Sequence, residues 1–455
     1  MEKFFNNIHI RLRPFIGLLK GHIILLVAYS FIVASQPMPM RIGAVELLMG
    51  FGLIVGSLFL IPALYSSAKK NPLDASIITA LALFIIIVPF LNGIIIQHGV
   101  NNIARDLLPI MFLIVIPLEF ALSTKTSMKE PVSKAILAAV LSVGVISAVE
   151  FLYRVMYLYG SPGRFVSAWS SYFIQIHGHD ISSSSQGVSV SREDQIVLFL
   201  KVYDPAILFS AVYCLNRGLR DTIMRNGKVF RNIVALSAGS ICAYCYFIMG
   251  LRAHVASIIV SVVTYAVYIS IKRGIKKTKI ISMGLGAFAI MAFFTHDELL
   301  MMIAKQVATG TNGKLNEWVA VVKEISITKG ALFGGIGWGG VFLNPVVADN
   351  TRFTHSLLSF LLLKSGVIGL SIFTLYYTLF MKFIGINKKL LFSADGLLVA
   401  LPGAATIVIA LLFQPTYKML SFSFILSLVL VQLSRNISGG QHVLSTFQQS
   451  EELRR

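Results

Sequence analysis

Apolar residues run along this chain in blocks close to the roughly 20 residues that a helix needs to cross a bilayer. The blocks fall near 17–36, 43–66, 75–97, 107–124, 133–157, 196–215, 231–249, 253–271, 279–295, 354–381, 391–413 and 417–434. They predict an all-α integral membrane protein with about twelve transmembrane helices. Most connections are short turns, but two are long, at about 158–195 and 296–353. The second carries Leu315, Trp318, Val319, Val322 and Ile325 at helical spacing, which predicts a helix lying at the membrane surface. The chain divides accordingly into N-terminal spans (1–157), a first loop (158–195) and central spans (196–295). A large loop (296–353), C-terminal spans (354–434) and a tail (435–455) follow. Loops longer than about 15 residues are uncommon unless they are functional, so chemistry is expected in these two.

Composition agrees with the pattern. Hydrophobic residues make up 56% of the 455 and charged residues 13%, against about 25% charged in globular domains, and the mean hydropathy is +0.78. A soluble globular, disordered, collagen-like, coiled-coil or disulfide-stapled chain is excluded. A net charge of +19 would suggest nucleic acid in a soluble protein, but here the distribution is topological. Alternate connections hold Lys69 and Lys70; Lys125, Lys129 and Lys134; Arg217, Arg220, Arg225, Lys228 and Arg231; Lys272, Arg273, Lys276, Lys277 and Lys279; and Lys382, Lys388 and Lys389. The positive-inside rule puts these and both termini in the cytoplasm and the two long loops outside. The expected partner is the bilayer, with no nucleic acid. The basic Met1–Lys20 block and the apolar run ending Val33-Ala34-Ser35 read as an uncleaved first span rather than a signal peptide. Cys214, Cys242 and Cys245 lie in apolar segments, too hydrophobic for a redox loop or a zinc site.

Candidate chemistry gathers on the outer side. Arg252 closes the short turn Gly250-Leu251-Arg252; the large loop then supplies Gly313-Lys314-x-x-x-Trp318, the glycine run Gly334 to Gly340, Arg352, and His355-Ser356 at the start of a span, with Gly366 and Gly369 beyond. Arginine offers a planar donor fork to phosphate oxygens and lysine a compact charge. Preorganised cations of this kind lower the barrier to departure of a pyrophosphate. A histidine with an unperturbed pKa near 6.5 can take a proton from an attacking hydroxyl. The plainer reading makes Arg252 and Arg352 anchors to lipid phosphates and His355 a helix-start residue. Trp169, Trp318 and Trp338 all lie in the two loops, where an indole ring suits the headgroup level or a sugar face. The formal G-x-G-x-x-G of Gly335, Gly337 and Gly340 lacks the βαβ context of a dinucleotide site and reads as a tight re-entrant turn. His177-Gly178-His179-Asp180 lacks further ligands of fitting spacing, and no Asp-x-Asp is present. Neither a metal nor a cofactor is expected.

This ordered set, over roughly 245–380, resembles the core of the O-antigen ligase and polymerase family of bacterial membrane glycosyltransferases. In that family an Arg opens a span after a small-residue turn, a Gly-Arg-x-x-x-Trp lies in a large periplasmic loop, a Gly-x-Gly turn follows, and His-Asn begins the next span. Arg252, Gly313-Lys314-x-x-x-Trp318, Gly335-x-Gly337 and His355-Ser356 stand in those places. Lys314 replaces the usual Arg and Ser356 the usual Asn; the lysine keeps the charge and loses the fork. The resemblance implies a GT-C-like fold in the bacterial inner membrane and metal-independent, inverting transfer of a glycan carried on undecaprenyl pyrophosphate at the periplasmic face. It assigns the departing pyrophosphate to Arg252 and Lys314 and the acceptor hydroxyl to His355; with the fork lost at Lys314, either Arg352 or another external cation helps at the pyrophosphate, or the donor is held differently. The acceptor is another lipid-linked repeat unit in a polymerase and the lipid A core in a ligase. Divergence at Lys314 and Ser356 and the additional loop at 158–195 favour the polymerase, for which a chain-length-regulating co-polymerase is an expected partner.

A lipid-linked glycan flippase or secondary transporter is the reading of another class, since twelve spans with both ends inside is a common transporter layout. Glu46, Glu119, Glu150 and Lys364 within the apolar blocks would suit transport. The short loop at 216–230, and Ser67-Ala68-Lys69-Lys70 where a major-facilitator carrier has a Gly-Asp-Arg-like turn, speak against it.

Overall fold

The computed structural model describes residues 72–123, 129–166, 201–223, 229–274, 314–345 and 349–434, with scattered helical positions between 20 and 58. The predicted span at 279–295, Trp169, the His177–Asp180 cluster and the tail lie outside the described residues, and those at 17–36 and 43–66 largely so. Helices α1 (Pro72–Ile95), α2 (Val100–Ser123) and α3 (Lys129–Tyr159) come first. They are followed by α4 (Pro205–Ile223), α5 (Val229–Ile248) and α6 (Arg252–Lys272). The outer-loop region forms α7 (Lys314–Ile327), the single turn α8 (Ala331–Gly334) and an antiparallel hairpin of β1 (Phe342–Asn344) and β2 (Asp349–Thr351). The chain closes with α9 (Leu357–Ile384), α10 (Lys388–Leu391), α11 (Ala394–Leu412), a 3-10 turn at Pro415–Lys418 and α12 (Leu420–Leu433).

Six helical segments among the described residues are long and apolar enough to cross a membrane by length and composition: Ser76–Ile95 of α1, and α3, α5, α6, α9 and α11. The all-α membrane class read from the hydrophobic pattern therefore stands. The apolar run at 196–215 does not make one continuous helix. It breaks at Tyr203–Asp204, and Asp204 Oδ1 accepts from the Ala206 backbone N–H at 2.9 Å and from Ser421 Oγ at 2.7 Å. An N-capping aspartate followed by a proline, which has no N–H to lose, is a strong local helix start, and it overrides the apolar count on either side.

The helices sort their polar ends into two groups. At one end Lys129 Nζ donates to the Ser434 carbonyl at 2.6 Å, Arg220 meets Asp395 at 2.5 Å, and Arg231 meets Asp221 at 2.8 Å. These residues come from the basic connections that the charge pattern assigns to a common side. At the other end lie His98, Arg105, Asp106, the hairpin, α7, and the residues from 413 to 418. Helix α9 joins the two ends with 28 residues, in two segments that meet at Gly366. Among the described residues, charges inside apolar segments have partners: Glu119 lies 3.3 Å from His22, Glu150 pairs with Arg154 at 3.1 Å and with Lys201, and Lys364 pairs with Asp106 at 2.8 Å. An unpaired charge in hydrocarbon is costly, so each acid takes a base from a neighbouring turn or helix.

The glycine run folds back into the bundle between α1 and α9. Gly366 takes φ 65° and ψ −169° inside α9, a conformation that side chains rarely adopt, and the helix breaks there. The break frees the Leu363 and Lys364 carbonyls, which accept from the backbone N–H groups of Ile336 at 2.8 Å and Gly337 at 3.0 Å. On the other flank Trp338 donates its backbone N–H to Pro89 O at 2.9 Å and its indole N–H to Ile86 O at 3.2 Å. Irregular backbone at membrane depth survives only where protein groups satisfy it, and here α1 and the break in α9 supply the partners. A Cβ at Gly337 would lie 2.6 Å from the Gly93 nitrogen, so this is a backbone-to-backbone contact that a larger residue would prevent.

Candidate active site

Three structural elements bring the candidate residues to one end of the bundle. Helix α7 is amphipathic: Glu317, Val321 and Ile325 face inward, while Leu315, Val319 and Val322 are exposed. The hairpin leads the chain to Arg352 and His355, and Ser356 then caps α9, its Oγ accepting from the Ser359 backbone N–H at 3.1 Å. The glycine run, held on α1 and α9, fixes the floor.

At the centre is a histidine and carboxylate pair. His355 Nδ1 lies 2.8 Å from Glu317 Oε2, and the His355 backbone N–H donates to Glu317 Oε1, also at 2.8 Å. Asn344 Nδ2 adds a third bond to Oε1 at 3.3 Å. Glu317 is only 2% exposed. An ionised carboxylate accepts only, so the proton of the imidazole belongs on Nδ1 and the lone pair on Nε2. No described residue hydrogen-bonds Nε2. This is the arrangement that orients a general base in many hydrolases and transferases.

Arg252 and Lys314 sit together on one side of this pair. Lys314 Nζ donates to the Phe413 carbonyl at 2.6 Å and lies 5.4 Å from the centre of the Phe413 ring. Burial pushes the Lys314 amine down to about 8; Glu317, one turn along α7, pulls it back up, and Arg252 pushes it further down. Two half-buried cations that repel one another in this way are poised for an anion.

A second cationic group lies around Asp106. Its carboxylate, 1% exposed, accepts from Lys364 Nζ at 2.8 Å and from the Gly339 backbone N–H at 2.9 Å, with Arg352 at 3.8 Å. Lys364 also donates to the Gly340 carbonyl. Lys418 Nζ stands 4.7 Å from the Phe353 ring centre and 5.2 Å from that of Phe360. Burial pushes the Lys418 amine down to about 7, with Asp106 opposing and Lys364, Arg352 and Arg105 reinforcing the fall. Tyr417 connects the two groups: its hydroxyl donates to the Thr354 carbonyl at 3.2 Å, and burial, with both Asp106 and Glu317, raises it well above the ordinary phenol value.

The sequence-predicted residues thus gather at one end of the bundle, in two sets. Lys314 and His355 come together through Glu317, with Arg252 near Lys314, whereas Arg352 joins Asp106, Lys364 and Lys418. Trp318 is half-buried on α7. Trp338 is fully buried and stacked on Phe360 at 5.9 Å, so it shapes the loop from within and meets neither headgroup nor sugar. Gly335 and Gly337, with φ of 71° and 79°, form the re-entrant turn. Glu317, Asp106 and Lys418 were not singled out by motif reasoning, and Lys364 only as an intramembrane charge. The one usable signal for Glu317 was its place inside the Lys314-x-x-x-Trp318 spacing. Cys242 and Cys245 are buried against α3 carbonyls, and among the described residues no three His, Cys, Asp or Glu side chains group as metal ligands. No protein-family model, curated protein or solved structure matches this chain.

Proposed function

We propose that this protein is a membrane glycosyltransferase of the O-antigen polymerase type, with about twelve spans in a GT-C-like arrangement. In this reading it lies in the bacterial inner membrane with both termini cytoplasmic. It joins repeat units carried on undecaprenyl pyrophosphate at the periplasmic face, with a chain-length-regulating co-polymerase as partner. The observation that carries the reading is the buried Glu317 bonded to both the ring and the backbone of His355, beside the paired cations Arg252 and Lys314.

The reaction follows from those positions. His355 Nε2 takes the proton from the acceptor hydroxyl as its oxygen attacks the anomeric carbon. The bond from that carbon to the pyrophosphate oxygen breaks, and the electron pair leaves on the phosphate, which Arg252 and Lys314 neutralise. Glu317 stabilises the imidazolium that forms. Attack from the face opposite the leaving group inverts the anomeric centre. The donor is already activated, so the step uses neither a nucleotide nor a metal.

The test uses purified protein with a short lipid-linked repeat unit and resolves products by mass, comparing wild type with Arg252→Ala and His355→Ala. A ladder of lengthened glycans on the same lipid, abolished in both variants at normal expression, is the expected result. Product formed only on addition of lipid A core would replace the polymerase by the ligase. Movement of the repeat unit across a liposome bilayer without any transfer would replace both by a flippase.

A further inference from the structure

Among the described residues, Lys364, Arg352 and Lys418 face one carboxylate, that of Asp106. One carboxylate balances one of these cations. The excess positive charge sits where Lys364 is fully buried and Arg352 is 18% exposed, so solvent screens it poorly. Two further observations show that the cluster is not closed on itself. Lys418 Nζ, clamped between the rings of Phe353 and Phe360, has no hydrogen-bond partner among the described residues. Arg352 stands 3.8 Å from Asp106 Oδ1, too far for a hydrogen bond, and among the described residues it donates only to the Asn102 carbonyl, at 3.4 Å. An ammonium carries three donors, and here all three are available to an incoming ligand rich in acceptors and negative charge.

Its placement relative to the reacting histidine narrows the ligand. Phe353 touches Lys418 on one side and lies edge-on to His355 on the other, with ring centres 6.0 Å apart. The cluster is therefore one aromatic ring from the base, while Arg252 and Lys314 approach through Glu317. We propose that the Asp106 cluster is a second anion site, holding the pyrophosphate of the acceptor lipid while Arg252 and Lys314 hold that of the donor. The inference rests on the polymerase reading, in which donor and acceptor both carry a lipid pyrophosphate; a ligase acceptor brings no such group. Asp106 then positions Lys364 and Arg352, and Lys418 is the group that meets the ligand.

The test measures equilibrium binding of radiolabelled farnesyl pyrophosphate to the full chain in nanodiscs of zwitterionic phosphatidylcholine. Two molecules per chain are expected. Lys418→Gln and Arg352→Gln should each leave one, Arg252→Ala should remove the other, and Lys418→Arg should retain both, which separates lost charge from lost folding. A single bound molecule that depends on Arg252 and is indifferent to Lys418 overturns the second site, as does no binding at all. If phosphatidylglycerol placed in the nanodisc displaces only the Lys418-dependent molecule, the cluster holds an ordinary lipid headgroup and the acceptor assignment is overturned. Because this readout needs no turnover, it separates from failure of the function itself: transfer activity with one bound pyrophosphate defeats the second site alone. Two bound pyrophosphates without transfer defeat the acceptor role and the polymerase together.

Discussion

At the scale of single residues, Glu317 sets the chemistry of His355. The carboxylate is buried, and its cost of desolvation is offset by three donors, two of them from His355 itself. Glu317→Gln keeps the volume and one acceptor but presents an amide that can offer a proton to Nδ1, which favours the tautomer with its lone pair on the wrong nitrogen. The expected loss in kcat is about 10²- to 10⁴-fold, the range general-base catalysis supplies, with little change in thermal unfolding. An equal loss of folded protein would show that the pair is structural. Lys314 gives a second prediction. With its amine brought down to about 8, the free enzyme loses this cation as pH rises through 8. The value of kcat/KM should then fall about tenfold for each pH unit above that point. Lys314→Arg keeps a guanidinium that stays protonated throughout, so the basic limb of the profile should disappear in that variant.

At the scale of elements, the site depends on the glycine run being held between α1 and the break in α9. The conformation at Gly366 cannot accept a side chain, and a Cβ there would overlap the Phe333 carbonyl. Gly366→Ala should therefore expel the glycine run, lowering both thermal stability and transfer activity, whereas Leu375→Ala on the exposed part of α9 should leave both nearly unchanged. Trp338→Ala removes the buried indole that pins the run to α1 and should cost about 3–5 kcal/mol, measurable by denaturant unfolding in detergent. Much of this architecture was legible beforehand. The spans that match described helices were set by apolar length, and α7 by the spacing of Leu315, Val319 and Val322. The His355-Ser356 step marked a helix start. What the sequence hid was tertiary. Glu317 looks like a solvated acid on an amphipathic helix, because its burial is created by α9 and the hairpin. Asp106, next to Arg105 at a span end, reads as a local ion pair, yet its partners Lys364 and Arg352 come from some 250 residues away. The break at Asp204 escaped for the opposite reason: the flanking residues are apolar on both sides, so a count of hydrophobicity passes over a capping signal that acts in one peptide unit.

At the scale of the whole molecule, the proposed arrangement puts the two polar ends of the bundle in different compartments. The part of α9 after the break at Gly366, residues 367–384, rises about 27 Å, close to the roughly 30 Å hydrocarbon core, so in the proposed arrangement the hairpin before α9 and α10 after it lie on opposite sides. The end near α10 gathers Lys129, Arg220, Arg231 and Lys389, and the proposal, following the positive-inside rule, makes it the cytoplasmic one. The hairpin end carries the candidate site, and a lipid-linked glycan used at the periplasmic face would reach it there. The three native cysteines are buried, so single cysteines introduced at exposed positions report sidedness against a silent background. Asn350→Cys, on the hairpin, should react with a membrane-impermeant maleimide added to spheroplasts. Lys389→Cys should react only after the membrane is permeabilised. The reverse result would turn the molecule over, place Arg252, Lys314 and His355 in the cytoplasm, and remove the basis for transfer on the outer face.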